Sequence, residues 1–184
     1  MQGTRLTLIC HAVTPFQKQG RFAADESVVM DWRNASLSLA GRYKKNPRLL
    51  CGPEARTRQT AGLFGRDPKV EKALRDGDWG RWAGQDVNAV DRHELMEWLT
   101  DNASAPHGGE SVDKVCARVG RWMKSLEHHP GHVVAVTHPL VIRAAMLYVM
   151  QFPISMFYLI DVEPLSATEL RFNDVWRLRL EAHA

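Results

Sequence analysis

The chain has 184 residues, of which 45% are hydrophobic and 24% are charged, with a formal net charge of +3 at pH 7. This mixture is typical of a globular protein and excludes an intrinsically disordered chain, while the length predicts a single domain over residues 1–184. Its 24 Lys and Arg residues are scattered rather than gathered into a stripe, so we expect no nucleic-acid partner and favour a small anionic ligand.

The predicted elements alternate between short apolar strands and helices. A strand over residues 5–10 is followed by a long loop, 11–31, in which Pro15 and Gly20 interrupt any period. The elements that follow, in chain order, are a weakly helical segment at 34–45, a strand at 48–51, a helix at 54–64, a strand near 69–73, a Gly- and Trp-rich loop at 76–84, helices near 86–100 and 110–127 with a turn region at 103–109 between them, a strand at 132–137, a helix at 140–150, and strands near 156–162, 167–172 and 175–180. Alternation in the last two strands predicts a half-exposed edge of the sheet.

This order of elements predicts an α/β fold, a three-layer α/β/α sandwich with a mostly parallel central sheet. In such sheets, ligands bind at the carboxyl ends of the strands. His11 directly follows the first predicted strand, His138 follows the strand at 132–137, and Arg56 lies in the first turn of the helix after the strand at 48–51. We therefore expect these three side chains to meet in one anion-binding pocket.

Two imidazoles and a guanidinium suit the transfer of a phosphoryl group. A phosphate monoester carries roughly −1.5 to −2 charges near neutral pH, so its pocket is expected to combine an Arg fork with backbone N–H donors and no carboxylate beside the anion. Arg56 at a helix N-terminus meets that need. A neutral imidazole can attack phosphorus while a protonated one stabilises the developing charge, and His11 and His138 can divide these roles. The proton for the leaving group is expected from Asp76 or Asp78.

The sequence also indicates where the protein acts. Residues 1–5 lead directly into a strand and show no signal-peptide pattern, and apolar runs such as 132–137 and 154–162 are shorter than the ~18 residues of a membrane span. Wide spacing without a C-x-x-C pair predicts free cysteines and no structural zinc at Cys10, Cys51 and Cys116. We therefore expect a cytoplasmic protein with no membrane partner.

Five segments, in the same order, resemble the histidine phosphatase superfamily, the phosphoglycerate mutase-like proteins, over nearly the whole chain. LTLICHAVT stands where that family has a strand ending in Arg-His-Gly, and GPEARTRQTA at 52–61 resembles its Ser-Pro-x-x-Arg-x-x-Gln-Thr-Ala segment. LRDGDWGRWAG at 74–84 resembles its acidic segment before a Gly-rich turn, and GGES at 108–111 its helix start. VAVTHPLVIRA at 134–144 resembles its strand ending in Ser/Thr-His-Gly with a following Val-Ile-Arg.

The resemblance implies a phosphoglycerate mutase-like sandwich and a role for each candidate residue. His11 is expected to be the phosphorylated nucleophile, Arg56 a phosphate ligand and His138 the second catalytic histidine. Asp76, four residues before Gly80, is expected to be the general acid. This chemistry needs neither a metal ion nor an organic cofactor.

Departures from the family pattern fall around the nucleophile. Cys10 stands where the family has the Arg of Arg-His-Gly, so one guanidinium that binds phosphate is missing. We hypothesise that Lys18 or Arg21, in the loop after the nucleophile, supplies the missing charge. Gln17 stands where an Asn often contributes, which makes it a further phosphate-binding candidate.

The predicted function is hydrolysis of a small phosphorylated metabolite through a phosphohistidine intermediate on His11. An alternative is a catalytically impaired member that binds a phosphorylated ligand, because Cys10 and Pro139 each remove a donor and Ala12 replaces the usual Gly. A phosphoglycerate mutase-type phosphotransferase is disfavoured, since the chain is short for one and lacks the additional segments. The sequence identifies neither the substrate nor the oligomeric state, and a homodimer stays open.

Four further residues receive simpler interpretations. Glu110 is interpreted as a partner of the helix N-terminus that follows it. Trp79 and Trp82 are interpreted as packing residues of the Gly-rich loop. His107, before two glycines, is left open as a substrate contact.

Overall fold

The computed structural model describes residues 3–29, 31, 43 and 47–180. Its six-stranded sheet has the order β3-β2-β4-β1-β5-β6. The strands are β1 (Thr4–Cys10), β2 (Arg48–Cys51), β3 (Lys69–Val70), β4 (Gly131–Thr137), β5 (Ala167–Asn173) and β6 (Val175–Arg179). The first four strands are mutually parallel, while β5 and β6 are antiparallel additions beside β1. The predicted α/β sheet with mostly parallel pairing is therefore confirmed.

The two central strands, β1 and β4, set the position of the site. Both are apolar and buried on both faces, which is typical of the inner strands of a parallel sheet. Their register pairs Cys10 with Thr137, the last residue of each strand. His11 and His138 therefore leave the sheet at neighbouring carboxyl ends.

The helices cover both faces of the sheet. They are α1 (Pro15–Lys18), α2 (Ala55–Ala61), α3 (Arg92–Thr100), α4 (Val112–Leu126) and α5 (Pro139–Met150). Side chains of α4 and α5 pack with Leu6 and Leu8 on one face, and Ala61 of α2 packs with Ile9 and Val134 on the other. This arrangement is the predicted three-layer sandwich. A single domain spanning residues 1–184 stays a prediction.

Several predicted element boundaries are wrong. The strand expected at 156–162 is instead a 3₁₀ helix, Ile154–Leu159, because Ile154 and Phe157 turn inward at a spacing of three residues while Ser155 and Met156 are exposed. The helix expected from residue 86 begins at Arg92, since the Asp91 side chain accepts hydrogen bonds from the first free N–H groups of α3.

Other expectations are partly met. The strand near 69–73 is only the two residues of β3, followed by a 3₁₀ turn at Lys72–Leu74. On the edge strand β6, Trp176 is buried while Val175 and Arg177 are exposed, as the alternation predicted. The helical segment expected at 34–45 lies outside the described residues. No helix of the described chain is long and apolar enough to cross a membrane.

Candidate active site

His11 is held as a neutral imidazole at the end of β1. It is 2% exposed, and its backbone N–H donates to the Thr137 carbonyl at 3.0 Å. The ring Nδ1 lies 2.8 Å from the Ala12 carbonyl oxygen, which only accepts, so Nδ1 carries the proton. Burial, with a smaller contribution from His138, lowers the pKa of His11 to about 3. The unprotonated Nε2 therefore keeps its lone pair at physiological pH.

His138 lies against His11 but has different partners. The two ring centroids are 5.1 Å apart, and His138 is completely buried. Its Nε2 lies 2.8 Å from Glu54 Oε2, and a carboxylate only accepts, so Nε2 donates there. Its buried Nδ1 has no hydrogen-bond partner among the described residues and lies 3.6 Å from Asp76 Oδ2.

Glu54 connects two of the predicted catalytic residues, and sequence reasoning did not identify it. One carboxylate oxygen binds the His138 ring, and the other accepts the backbone N–H of Asp76 at 2.9 Å. Burial would raise the pKa of Glu54, but the hydrogen bond and charge of His138, together with hydrogen bonds from backbone N–H groups, outweigh it and lower that pKa. Its position, two residues before Arg56 in the matched segment, was the available signal.

Arg56 is almost completely buried at the start of α2 and is surrounded by acceptors. Its Nη2 donates to Asp76 Oδ2 at 2.7 Å, while Nη1 donates to the Ala24 carbonyl and lies 3.5 Å from Glu26 Oε2. The expectation of no carboxylate beside the anion site is therefore wrong. A buried guanidinium without a ligand must be paired, and these two carboxylates pair it.

Asp76 reaches the site, whereas Asp78 does not. Burial would raise the pKa of Asp76, but the nearby His138 and Arg56 outweigh this effect and hold the pKa below its ordinary value. Asp78 is exposed, and its carboxylate accepts the Gly80 N–H at 2.9 Å within the turn. The geometry favours Asp76 as the acid.

A buried ion-pair cluster anchors the backbone that carries Asp76. Both Glu110 carboxylate oxygens bind Arg118, at 2.8 and 3.0 Å, and Arg75 adds a third contact at 2.9 Å. Arg118 also donates to the carbonyls of Arg75 and Asp76. The N-cap of the following helix is Ser111, whose hydroxyl accepts a hydrogen bond from the Lys114 N–H. The interpretation of Glu110 as a partner of that helix N-terminus is therefore replaced by its role in the ion-pair cluster.

A cavity of about 180 Å³ opens at the carboxyl ends of the strands. Its lining residues are His11, Gln17, Ala23, Glu26, Arg56, Asp76, Trp79, Pro139, Leu140, Arg143 and Tyr158. His138 lies behind this wall, against His11. The structure thus brings His11, Arg56, Asp76 and His138 together. Sequence reasoning missed the contributions of Glu26, Arg143 and Tyr158.

Of the three further phosphate-binding candidates, Gln17 lines the cavity, whereas Lys18 and Arg21 do not. Gln17 lines the cavity, although its Oε1 accepts the Thr14 N–H at 3.0 Å to close the cap of α1. Lys18, the last residue of α1, is exposed and does not line it. Arg21 also lies outside the cavity, since its Nε donates to the Gly84 carbonyl at 2.7 Å.

The aromatic residues of the Gly-rich loop form a cluster beside the cavity. His107 is buried between Trp79, Trp82 and Trp98, and its Nδ1 accepts the Gly109 N–H at 3.0 Å. His107 is therefore a packing residue of this cluster and does not line the cavity. Trp82 packs as expected, whereas Trp79 both packs and lines the cavity.

The sequence matches the profile described as histidine phosphatase superfamily (branch 1) over residues 6–181. The chain belongs to this superfamily. Among histidine phosphatase relatives, an acid phosphatase of Mycobacterium tuberculosis is 29% identical, over 82% of this chain and 78% of that protein. A bifunctional protein of the same organism is 26% identical over 96% of this chain and 53% of its own length, so the chain spans about half of that relative.

Solved structures show the same histidine phosphatase fold. One described as mycobacterial hydrolase 1 has a TM-score of 0.82 at 25% identity, covering 97% of this chain and 98% of that one. A mycobacterial glucosyl-3-phosphoglycerate phosphatase in complex with VO₃ has a TM-score of 0.81 at 24% identity, over 96% and 97%. A phosphoserine phosphatase mutant from Entamoeba histolytica has a TM-score of 0.83 at 16% identity, over 95% and 94%.

Proposed function

We propose that the protein is a phosphomonoesterase that hydrolyses a small phosphorylated metabolite through a phosphohistidine intermediate on His11. The observation that carries the proposal is the state of His11. Its proton is fixed on Nδ1 by the Ala12 carbonyl, so Nε2 offers a lone pair in a cavity that also contains Arg56. A neutral, oriented imidazole beside a guanidinium is what nucleophilic attack on a phosphate ester requires.

Substrate binding activates Asp76 in this proposal. A phosphoryl group takes the place of the Asp76 carboxylate on Arg56 Nη2, a contact of 2.7 Å in this structure. Asp76 then loses its cationic partner and gains an anionic neighbour, and both changes raise the pKa of its carboxyl. The carboxyl takes up a proton and becomes a general acid.

The reaction then proceeds in two displacements. His11 Nε2 bonds to phosphorus while the ester P–O bond breaks, and Asp76 gives its proton to the departing alkoxide. A water molecule next attacks the phosphohistidine, and the Asp76 carboxylate accepts its proton. The N–P bond breaks, inorganic phosphate leaves, and His11 is again neutral. His138, oriented by Glu54 through Nε2, lies against His11 and supports the phosphoryl group from behind the cavity wall in both steps.

Two further observations support hydrolysis without a cofactor. Every group that the two steps need is a side chain of this chain, apart from water. The relative named acid phosphatase, at 29% identity, is consistent with phosphate-ester chemistry. We propose no metal requirement and retain the cytoplasm as the proposed location.

Trapping the intermediate tests the proposal. Wild-type protein is incubated with a ³²P-labelled aryl phosphate in the presence of a chelator and quenched in alkali, in which phosphohistidine survives. We expect turnover and a label that is lost in acid. His11→Ala should remove the label and lower turnover about 10³-fold or more. The matched control is His93→Ala, an exposed histidine of α3, which should behave as wild type.

Three outcomes contradict the proposal. Binding of phosphate without turnover in the wild type favours the alternative of a non-hydrolysing binder. Turnover that survives in His11→Ala removes the nucleophile from its role. Conversion of one phosphoglycerate isomer into another, without release of phosphate, favours a mutase.

A further inference from the structure

Arg143 of α5 is the second guanidinium in the cavity wall. Its Nε donates to the Ile160 carbonyl at 2.7 Å, which fixes the head group, and no carboxylate of the described residues lies within 4.0 Å of its nitrogens. The guanidinium carbon lies 5.9 Å from the centre of the Phe157 ring and 6.0 Å from that of Tyr158. The head group therefore has one carbonyl and two aromatic rings as close partners and no ion pair of its own, although Asp161 lies near enough to interact electrostatically.

Tyr158 offers a second unused donor in the same wall. Its hydroxyl oxygen is buried and has no hydrogen-bond partner among the described residues, and Tyr158 as a residue lines the cavity, as Arg143 does. Burial raises the pKa of Tyr158 to about 12, so the phenol keeps its proton. An unpaired buried hydroxyl costs free energy, and a ligand atom in the cavity would satisfy it.

The balance of charge shows why Arg143 matters. Arg56 faces two carboxylates, those of Asp76 and Glu26, so this side of the cavity is negative overall. His11 is neutral at physiological pH and adds no charge. A phosphate dianion needs a cation that is not already paired. Among the described residues that line the cavity, Arg143 is that cation.

We propose that Arg143 and Tyr158 bind the phosphoryl group of the substrate, with the guanidinium supplying the charge that Cys10 cannot and the phenol donating a hydrogen bond. This inference rests on the proposed function. It replaces the hypothesis for Lys18 and Arg21, because neither of those residues lines the cavity. Cys10 itself is buried in the cluster that includes the side chains of α5.

Equilibrium binding of inorganic phosphate and of vanadate tests the inference without turnover. Trp79 lines the cavity, so its fluorescence provides the signal. Arg143→Met should weaken phosphate binding about 10- to 100-fold, as expected for lost hydrogen bonds to a charged group, with Arg143→Lys intermediate. Tyr158→Phe should weaken it several-fold. Lys18→Met and Arg21→Met are the matched controls and should bind as wild type.

A double variant tests whether a guanidinium at position 10 can replace that of Arg143. Cys10→Arg, introduced into Arg143→Met, should restore at least part of the lost phosphate affinity. Tyr158→Phe keeps the ring and isolates the hydroxyl.

Three results distinguish the possible failures. Normal phosphate binding by both Arg143→Met and Tyr158→Phe overturns the inference, even where the wild type hydrolyses esters. An effect only on esters whose leaving group carries a carboxylate also overturns it, because Arg143 then recognises the leaving group. Phosphate binding that depends on Arg143 in a protein without turnover supports the inference and contradicts the proposed function.

Discussion

The ends of β1 and β4 are equivalent in the sheet but differ in chemistry. Each strand is buried, each is followed by a histidine, and the final residues of the two strands are paired. The His11 ring bonds to a backbone carbonyl, whereas the His138 ring lies between the carboxylates of Glu54 and Asp76. A carbonyl fixes a tautomer and leaves a neutral ring with a free lone pair, while a carboxylate accepts a hydrogen bond from the ring. The partner, and not the position in the sheet, therefore distinguishes the two rings.

The Asp76 carboxylate lies on the cavity side of His138. Removing it should have the largest effect on the rate of the reaction. We expect Asp76→Asn to lower kcat/KM, which excludes hydrolysis of the phosphohistidine, about 10²- to 10⁴-fold for alkyl phosphates, because the leaving alkoxide then receives no proton. For p-nitrophenyl phosphate the loss in kcat/KM should be smaller than tenfold, since that phenolate leaves without protonation. Steady-state kinetics with both esters check the difference.

Asp78→Asn is the matched control for this experiment, because Asp78 stabilises the turn and lies outside the His11 cavity. It should leave both rates within a few-fold of wild type. Equal losses of kcat/KM on the two esters in Asp76→Asn would exclude proton donation to the leaving group as the role of Asp76.

The Glu54 carboxylate lies on the other side of His138. Removing its charge should have a moderate effect on kcat. Glu54→Gln keeps the shape but replaces the charged acceptor of the His138 N–H with a neutral amide oxygen, so we expect kcat to fall about 10- to 100-fold. Since Glu54 does not line the His11 cavity, KM should change little. The pH profile of kcat should shift, which a purely structural role would not produce. Glu97→Gln on α3 is the control, and an unchanged profile contradicts the assignment.

His11 has no carboxylate partner among the described residues and stays neutral when folded. The free energy of unfolding should therefore depend on pH, with a smaller effect than those of the two substitutions above. The pKa of His11 is about 3 when folded and near 6.5 when unfolded, so between these values only the unfolded chain binds the proton. The free energy of unfolding should therefore decrease as the pH falls. Between pH 7 and pH 5 this contribution amounts to about 2 kcal/mol.

Denaturant unfolding of the wild type and of His11→Ala measures that contribution. The stability difference between the two proteins should change by about 2 kcal/mol across the interval, whereas His93→Ala should follow the wild type. Carboxylates with lowered pKa values, such as Asp76 and Glu54, lose their stabilising charge only at lower pH and do not interfere. Parallel stability curves for His11→Ala and wild type would contradict a neutral His11.

The sequence predicted the parts of the site that follow from strand ends. His11 and His138 follow apolar runs whose parallel pairing forces their ends together, and the helix after β2 brings Arg56 to the same edge. The matched segment around the Gly-rich turn directed attention to Asp76. The meeting of these side chains could be inferred because sheet topology constrains the positions where strands end.

The parts that sequence reasoning missed depend on tertiary contacts instead. Glu54 and Glu26 contact residues that are far from them in the sequence, and local periodicity gives no information about such contacts. Arg143 appeared only as part of a matched segment. The 3₁₀ helix that carries Tyr158 was mistaken for a strand because an apolar run of that length suits either structure. Burial at a spacing of three residues became visible only with the packing against α5.

The Glu110 cluster anchors the backbone of Asp76 beside the point where the next segment of the chain begins and ends. Glu110 N–H donates to the Asp78 carbonyl at 2.8 Å, so the segment between them closes on itself at a narrow neck. Arg118 holds the Asp76 backbone on the opposite side of that neck. Changes within residues 81–106 can therefore accumulate in evolution while the backbone of Asp76 keeps its place.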